Sequence, residues 1–259
     1  MDAISIKKGL HTRLIGKKLY FYKEIDSTNS EAKHLVKIGV GEGTVVIADH
    51  QTAGRGKFKR NFFSPKGRGV YLTIIIEPFK INNKALEITL LGTLASARAI
   101  SGLTHASVNV KWPNDIMIHG KKVGGVLTEA CLSKSGRQAI MVGIGLNVST
   151  KIEEFPEEIR ELASSIDSET GRKTSRTRII QRLLEEFEKL YFLFLAGKDD
   201  LILNEWKILS ETIGRRIKIR SHNTIYDGKA VGLAEGGELI LKIFGGSIRK
   251  FDSGDIIIK

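Results

Sequence analysis

The feature that most constrains this chain is an interruption. Two runs that read as buried strands, residues 44–48 and 70–77, are separated by a long polar, glycine-rich stretch at 51–68. Such a chain must build a sheet that carries a large loop at one end. The flanking sequence supplies the rest of a mixed architecture. Residues 19–25 alternate and are rich in aromatic and β-branched types, as a strand is. Asp26-Ser27-Thr28-Asn29 stops that strand, Thr28 to Glu31 fits a capping box, and Ala32, Leu35 and Val36 follow at helical spacing until Gly39. Leu86, Leu90, Leu94, Ala97 and Ile100 recur every three to four positions, which predicts a helix over 84–103 packed against the sheet.

Strands resume at Val108, and Trp112-Pro113-Asn114-Asp115 breaks the pattern. Residues 116–118 and 123–130 then flank His119-Gly120-Lys121-Lys122 as a hairpin, and 139–148 makes a further strand. Residues from about 156 to 212 read as a helical bridge, capped at Ser175 and Asp199, with an apolar run through Leu183, Leu184, Phe187, Leu190, Tyr191 and Phe194. After Gly214 the texture becomes short β-type runs at 217–220, 230–233, 238–243 and 256–258, punctuated by Asp227-Gly228, Gly236-Gly237 and Gly245-Gly246. A length of 259 residues accommodates one large domain plus a satellite, so the expected division is 1–213 and a small antiparallel barrel at 214–259 that leans on it.

Charge narrows the partners. With 41 basic and 29 acidic side chains the net charge is +12, which favours polyanions: nucleic acid, nucleotide phosphates, acidic lipid or an acidic protein. The one cysteine, Cys131, cannot form an internal disulfide, and no charged-then-apolar leader opens the sequence, so a cytoplasmic address is expected. Apolar runs such as 70–76 fall far short of the roughly 20 residues that cross a bilayer, so no membrane span is expected.

The cations concentrate in the interrupting loop. Arg55, Lys57, Lys59, Arg60, Lys66 and Arg68 share it with Gly54, Gly56, Gly67 and Gly69, and the segment holds no Asp or Glu. Glycines let backbone N–H groups converge on an anion while arginines and lysines supply charge-assisted bonds to phosphate oxygens. Self-repulsion is expected to hold this loop open when empty. Residues alone also allow a solvated basic loop or a nonspecific nucleic-acid contact, and neither a P-loop nor a Rossmann fingerprint is present.

Lys111-Trp112-Pro113-Asn114-Asp115 sets a lysine at a strand end before a turn bearing an amide and a carboxylate, a place where sheets present reactive groups. A cation held there stabilises charge developing in phosphoryl chemistry; equally, Trp112 and Pro113 read as core and Lys111 as solvated. The glycine pairs in Lys122-Val123-Gly124-Gly125 and Gly143-Ile144-Gly145-Leu146-Asn147 read either as close approach of a ligand or as strand twist, with Asn147 available to a base or phosphate. Ser27, Thr28 and Asn29 are explained by capping, and the same groups at a helix N-terminus bind polar rings or carboxylates. The six histidines are scattered without ligand spacing and Cys131 has no adjacent histidine, so neither a metal centre nor a thiol nucleophile is expected.

Taken in order, Ser27-Thr28-Asn29, Gln51-Thr52-Ala53-Gly54-Arg55-Gly56, Phe63-Ser64-Pro65, Lys111-Trp112-Pro113-Asn114-Asp115, Lys122-Val123-Gly124-Gly125 and Gly143-Ile144-Gly145-Leu146-Asn147 resemble the biotin protein ligase family. The resemblance is detailed over residues 20–148 and fainter to the C-terminus, where Ser253-Gly254-Asp255-Ile256 resembles the end of that family's small barrel. It implies an α+β fold: a mixed-sheet catalytic domain of the class II aminoacyl-tRNA synthetase and biotin ligase type with helices on one side, plus a C-terminal SH3-like barrel. It implies a two-step reaction, in which the biotin carboxylate attacks the α-phosphate of ATP to give biotinyl-5'-AMP and pyrophosphate, and a lysine of a biotin carboxyl carrier protein then takes the acyl group. Magnesium accompanies the nucleotide.

By motif position the resemblance assigns biotin to Ser27, Thr28, Asn29, Gln51, Arg55, Gly56, Lys57, Lys111 and Gly125. It assigns ATP to Arg55, Lys57, Arg60, Phe62, Asn114, Asn147 and Lys259, and makes Lys111 and Arg55 the catalytic pair. The family loop reads Gly-Arg-Gly-Arg-x-Gly-Arg, whereas Lys57 and Lys59 stand here for the second Arg and third Gly; lysine keeps the charge but loses the planar fork, leaving Arg60 to hold the adenylate. Phe62 replaces a Trp and keeps an aromatic face. About 18 residues precede Leu19, too few for the DNA-binding domain of bifunctional members, so a monofunctional ligase without specific DNA binding is expected, as a homodimer by family habit. Two rivals remain: a lipoate ligase or octanoyltransferase on the same fold, and a non-enzymatic nucleic-acid-binding protein drawing on the +12 charge.

Overall fold

The structure, a computed structural model, describes residues 1–77, 84–221 and 224–258. Chain order begins α1 (Ala3–Lys8), β1 (Leu19–Tyr22), α2 (Thr28–Lys37), β2 (Val45–Ala48), β3 (Gly69–Ile76) and α3 (Ala85–Thr104). It continues β4 (Asn109–Lys111), β5 (Asp115–Ile118), β6 (Lys121–Leu132) and β7 (Gln138–Asn147). The helical bridge is α4 (Glu157–Arg160), α5 (Ile166–Thr170), α6 (Arg176–Leu195) and α7 (Asp199–Leu209). Last come β8 (Arg216–Ser221), β9 (Thr224–Leu233), β10 (Leu239–Ile243), β11 (Ile248–Phe251) and β12 (Asp255–Ile258).

The first seven strands form one mixed sheet ordered β1-β2-β3-β7-β6-β5-β4, parallel only between β1 and β2. Side chains alternate between its faces, and both faces are buried at the centre. Leu72, Ile74, Val142, Ile144 and Leu146 point into the main core with α3 and α6. Val46, Ile75 and Met141 point the other way, against Ala32, Leu35 and Val36 of α2. The long helices thus cover one side as expected, while α2 lies across the opposite face, and that placement brings its N-terminus over Thr73 of β3 and Gly143 of β7.

Several expectations are revised. Ser27, not Thr28, caps α2 and makes no side-chain cap hydrogen bond. The box between Thr28 and Glu31 does not form, because Glu31 accepts from the Tyr22 hydroxyl at 2.8 Å and Thr28 turns toward β3. Lys198 rather than Asp199 caps α7, the Asp199 carboxylate being taken by Lys84 at 2.9 Å. Ser175 does cap α6, accepting from the Arg178 N–H.

Among the described residues one helix, α3, is long and apolar enough to cross a membrane, contrary to the expectation from run lengths; 67% of its apolar window is buried inside the fold, between the sheet and α6, as a core helix is.

The last five strands form a separate antiparallel sheet ordered β11-β10-β9-β8-β12. Strand β11 escaped the sequence reading because three of its four residues are exposed and two are cationic. Asp227-Gly228, expected as a turn, lies inside β9, where a Cβ on Gly228 would run into the Lys242 carbonyl of β10. The two sheets are joined through Trp112, whose indole N–H donates to the Gly237 carbonyl at 3.1 Å and whose backbone N–H donates to Thr212 Oγ1 at 3.1 Å.

Candidate active site

A cavity of about 500 Å³ opens between the sheet end, the cationic loop and β12. Its floor is β6 and β7. A Cβ on Gly143 would collide with the Asn29 amide, and one on Gly145 would stand 2.5 Å from the Phe62 ring. Close approach, not twist alone, explains those glycines: they let one side chain from α2 and one from the loop lie against bare backbone.

At the closed end stands a mutually satisfied polar cluster. The Thr28 N–H (2.9 Å) and hydroxyl (3.1 Å) both donate to Gln51 Oε1, while Gln51 Nε2 donates to Ser64 Oγ at 3.0 Å. The Thr73 hydroxyl donates to Asn29 Oδ1 at 2.6 Å and lies 2.8 Å from the Thr28 hydroxyl. Asn29 Nδ2 donates to Glu129 Oε2 at 2.7 Å. Buried polar groups that satisfy one another hold fixed positions, which suits recognition of a small polar ring. Ser27, 3% exposed and without a capping bond, lines the cavity at the same N-terminus.

The roof is the loop over Gly54 to Arg60. A one-turn 3-10 segment, Lys57–Lys59, carries Phe58 in the left-handed region at φ 56. Contrary to the expectation of an open, self-repelling loop, its arginines reach carboxylates from distant elements. Arg55 pairs with Glu129 on β6 at 3.1 Å, Arg60 with Asp255 on β12, and Arg68 with Glu154 at 2.7 Å. Counter-charges outside the segment, invisible to a local count, fold it down. Lys57 has no such partner: burial pushes its ammonium below the usual lysine pKa, Lys122 adds to that, and Asp115, Asp255 and Asp252 oppose it.

Two more lysines line the cavity from the sheet end. Lys111 ends β4, directly opposite Asp115, and the following Trp112–Pro113 peptide is cis. Lys122 lies 2.5 Å from the Asp115 carboxylate and its Nζ comes within 3.5 Å of where a Gly125 side chain would begin. Asn114 and Asn147 also border the cavity, but each already uses its amide nitrogen, toward the Val126 carbonyl at 3.1 Å and the Ser164 carbonyl at 3.0 Å.

Every sequence-predicted residue among those described thus meets in one cavity: Ser27, Thr28, Asn29, Gln51, Arg55, Gly56, Lys57, Arg60, Phe62, Lys111, Asn114, Gly125 and Asn147. Lys259 lies outside the described residues. The sequence reading gave no site role to Lys122, Thr73, Glu129 or, from the second sheet, Arg220 and Asp255, although Lys122 and Asp255 stood in motifs it quoted. Lys122 and Glu129 carried a signal, being charged positions in a strand otherwise half-buried. Asp255 stood in Ser253-Gly254-Asp255-Ile256, a motif given no role in the site, and Arg220 carried no signal.

The same motifs are matched in known proteins. The chain fits the pattern described as "Biotin/lipoate A/B protein ligase family" over residues 21–147 and that described as "Biotin protein ligase C terminal domain" over 212–259. It is 35% identical to the bifunctional ligase/repressor BirA of Bacillus spizizenii, over 97% of this chain and 77% of that protein. This chain belongs to the biotin protein ligase family. A biotin--[acetyl-CoA-carboxylase] ligase of Mycobacterium tuberculosis is 27% identical across 97% of this chain and 94% of that protein. Among solved structures, the biotin protein ligase of Aquifex aeolicus in complex with biotin and ATP superposes with a TM-score of 0.81 at 31% identity, covering 94% of this chain and 99% of that one. Membership accounts for both sheets, the second being the SH3-like C-terminal unit of biotin protein ligases.

Proposed function

We propose that the chain activates biotin with ATP, releasing pyrophosphate, and passes the acyl group to a lysine of a biotin carboxyl carrier protein or domain. The observation that carries this is the assembly of a fixed polar cluster, a cationic roof and two strand-end lysines around one cavity. A cyclic urea needs acceptors for its N–H groups and donors for its carbonyl, and Ser27, Thr28, Asn29 and Gln51 provide both kinds. The valeryl chain then runs over the glycine floor toward Lys111 and Lys122. There the carboxylate meets the α-phosphate, and the preorganised ammonium groups stabilise the charge that builds as the P–O bond to pyrophosphate breaks.

Arg55, Lys57 and Arg60, with the Gly56 backbone, close over the phosphates, and Phe62 offers its ring as a wall. Asn114 and Asn147 offer the nucleotide their amide oxygens and the second N–H of each amide nitrogen. Magnesium enters as part of the substrate, bound to the ATP phosphates. In the second step the carrier lysine attacks the acyl carbon and AMP leaves. A cytoplasmic homodimer completes the proposal, its mass readable by light scattering.

Incubation with ATP, magnesium and either biotin or lipoate tests this reading. Biotinyl-AMP in the first tube and no lipoyl-AMP in the second is the expected result. Lipoyl-AMP as the main product moves the chain to the neighbouring acyl class; no acyl-AMP, together with steeply salt-dependent DNA affinity, supports a binding protein instead.

A further inference from the structure

On the outward face of the second sheet, like charges stand directly opposite one another. Arg216 of β8 is in register with Lys229 of β9, and Lys229 with Lys242 of β10. All three side chains are exposed, while their neighbours Ile217, Ala230 and Leu241 turn into the core. The cations therefore form one row across three strands set about 4.8 Å apart. Like charges placed this way destabilise a sheet. Asp227 answers Arg216 at 3.3 Å, but among the described residues no ion pair reaches Lys229 or Lys242. Beside the row stands Phe244, 55% exposed, whose backbone N–H donates to the Asp227 carbonyl at 3.3 Å and whose ring lies 4.1 Å from the Arg216 guanidinium. Arg220, the β8 residue that borders the cavity, is at the other end of that strand, about 13 Å away along it.

We propose that this face binds single-stranded nucleic acid, with phosphates on the row of Arg216, Lys229 and Lys242 and a base stacked on Phe244. Such a ligand supplies what the face lacks. Its phosphates relieve the repulsion within the row, and its base uses an exposed ring that already has a guanidinium beside it. Contacts of this kind read no sequence, so the binding is nonspecific. Duplex DNA offers phosphates but keeps its bases paired and stacked, which leaves Phe244 without a partner. A run of carboxylates on an acidic protein would meet the row but not the ring. An acidic membrane fits less well, because the exposed isoleucines that would enter it, Ile248 and Ile257, stand on the opposite edge strands β11 and β12 and form no common patch. The surface is separate from the cavity, so acyl chemistry proceeds while nucleic acid is bound.

The test uses the full chain and a labelled oligothymidylate of about 16 nucleotides, read by fluorescence anisotropy from about 50 to 200 mM salt. The expected slope of log affinity against log salt is about −2, from three phosphate contacts at about −0.7 each. Lys229→Gln with Lys242→Gln removes two of them: the slope falls to about −0.7 and low-salt affinity drops on the order of tenfold. The melting point of that variant is no lower than that of the parent, because the repulsion is gone. The same loss of charge on α2, Lys33→Gln with Lys37→Gln, leaves binding unchanged. Phe244→Ala is expected to weaken single-strand binding about fivefold or more and to leave binding of a duplex of equal length unaltered. No affinity at the lowest salt, equal weakening by the α2 pair, no effect of Phe244→Ala, or tighter binding to polyglutamate or phosphatidylserine vesicles at matched charge overturns the proposal. Biotinyl-AMP formation by the same preparations reads the cavity separately: its absence while the oligonucleotide still binds overturns the proposed function alone.

Discussion

The floor and the roof of the cavity are built on opposite principles. The floor, β6 and β7, is backbone paired over nine residue positions from Gly124 to Leu132, with glycines where side chains from elsewhere must touch it. The roof owes its shape to single ion pairs reaching Glu129, Asp255 and Glu154, and it leaves Phe58 55% exposed. A paired floor fixes where a small ring sits. A roof held by partly exposed ion pairs can exchange those carboxylates for the anions of a substrate at little cost, because exposed pairs contribute only about 0–1 kcal/mol each. On the proposed function, recognition belongs to the polar cluster of Thr28, Asn29 and Gln51 that is seated against this floor, and retention to the roof.

Substitutions separate the two. The largest effect is expected from Gly143→Val, whose side chain must displace the Asn29 amide: biotin binding is lost, and overpacking lowers stability by about 1–3 kcal/mol, read by calorimetry and thermal melting. Next comes Lys111→Ala, which leaves the fold and biotin affinity intact but lowers adenylate formation by about 10²–10³-fold, the cost of removing one preorganised charge donor. Near-normal turnover in that variant passes the role to Lys122, and Lys122→Ala under the same assay decides.

Roof changes are expected to be smaller. Asp255→Asn releases Arg60 from the second sheet and changes the Michaelis constant for ATP several-fold with a melting point nearly unchanged, since the pair it breaks is worth about 0.2–1 kcal/mol. A fall in melting point as large as that of the floor variant contradicts the division of labour. The mildest readout is limited proteolysis of residues 54–60, which slows when biotin and ATP are added together because ligand anions replace the carboxylates now holding the arginines. Equal cleavage with and without ligand shows that the roof does not respond.

The same contrast explains what the sequence disclosed. Strands β2, β3 and β7 and helix α3 are legible because apolar periodicity is a local property. So was the set of residues meeting in the cavity, because Ser27 to Asn29, Gln51 to Gly56 and Lys111 to Asp115 are compact motifs. The loop's folded state was not legible: charge counted within 51–68 predicts repulsion, and the carboxylates that cancel it lie far along the chain, Glu129 and Asp255 among them. Thr28 was misplaced as a cap for a related reason, since Gln51 and Thr73 outbid the helix for its hydroxyl. Strand β11 was missed because its outward residues carry no apolar signal.

The central claim is that biotin and ATP meet in this one cavity and react there. A rapid-quench measurement of pyrophosphate, with excess ATP and biotin and no carrier, tests it most directly. The account predicts a burst close to one equivalent per chain that requires biotin and then stalls as the adenylate is retained under the roof. Pyrophosphate released at the same rate with and without biotin, or none at all from a folded chain, contradicts it.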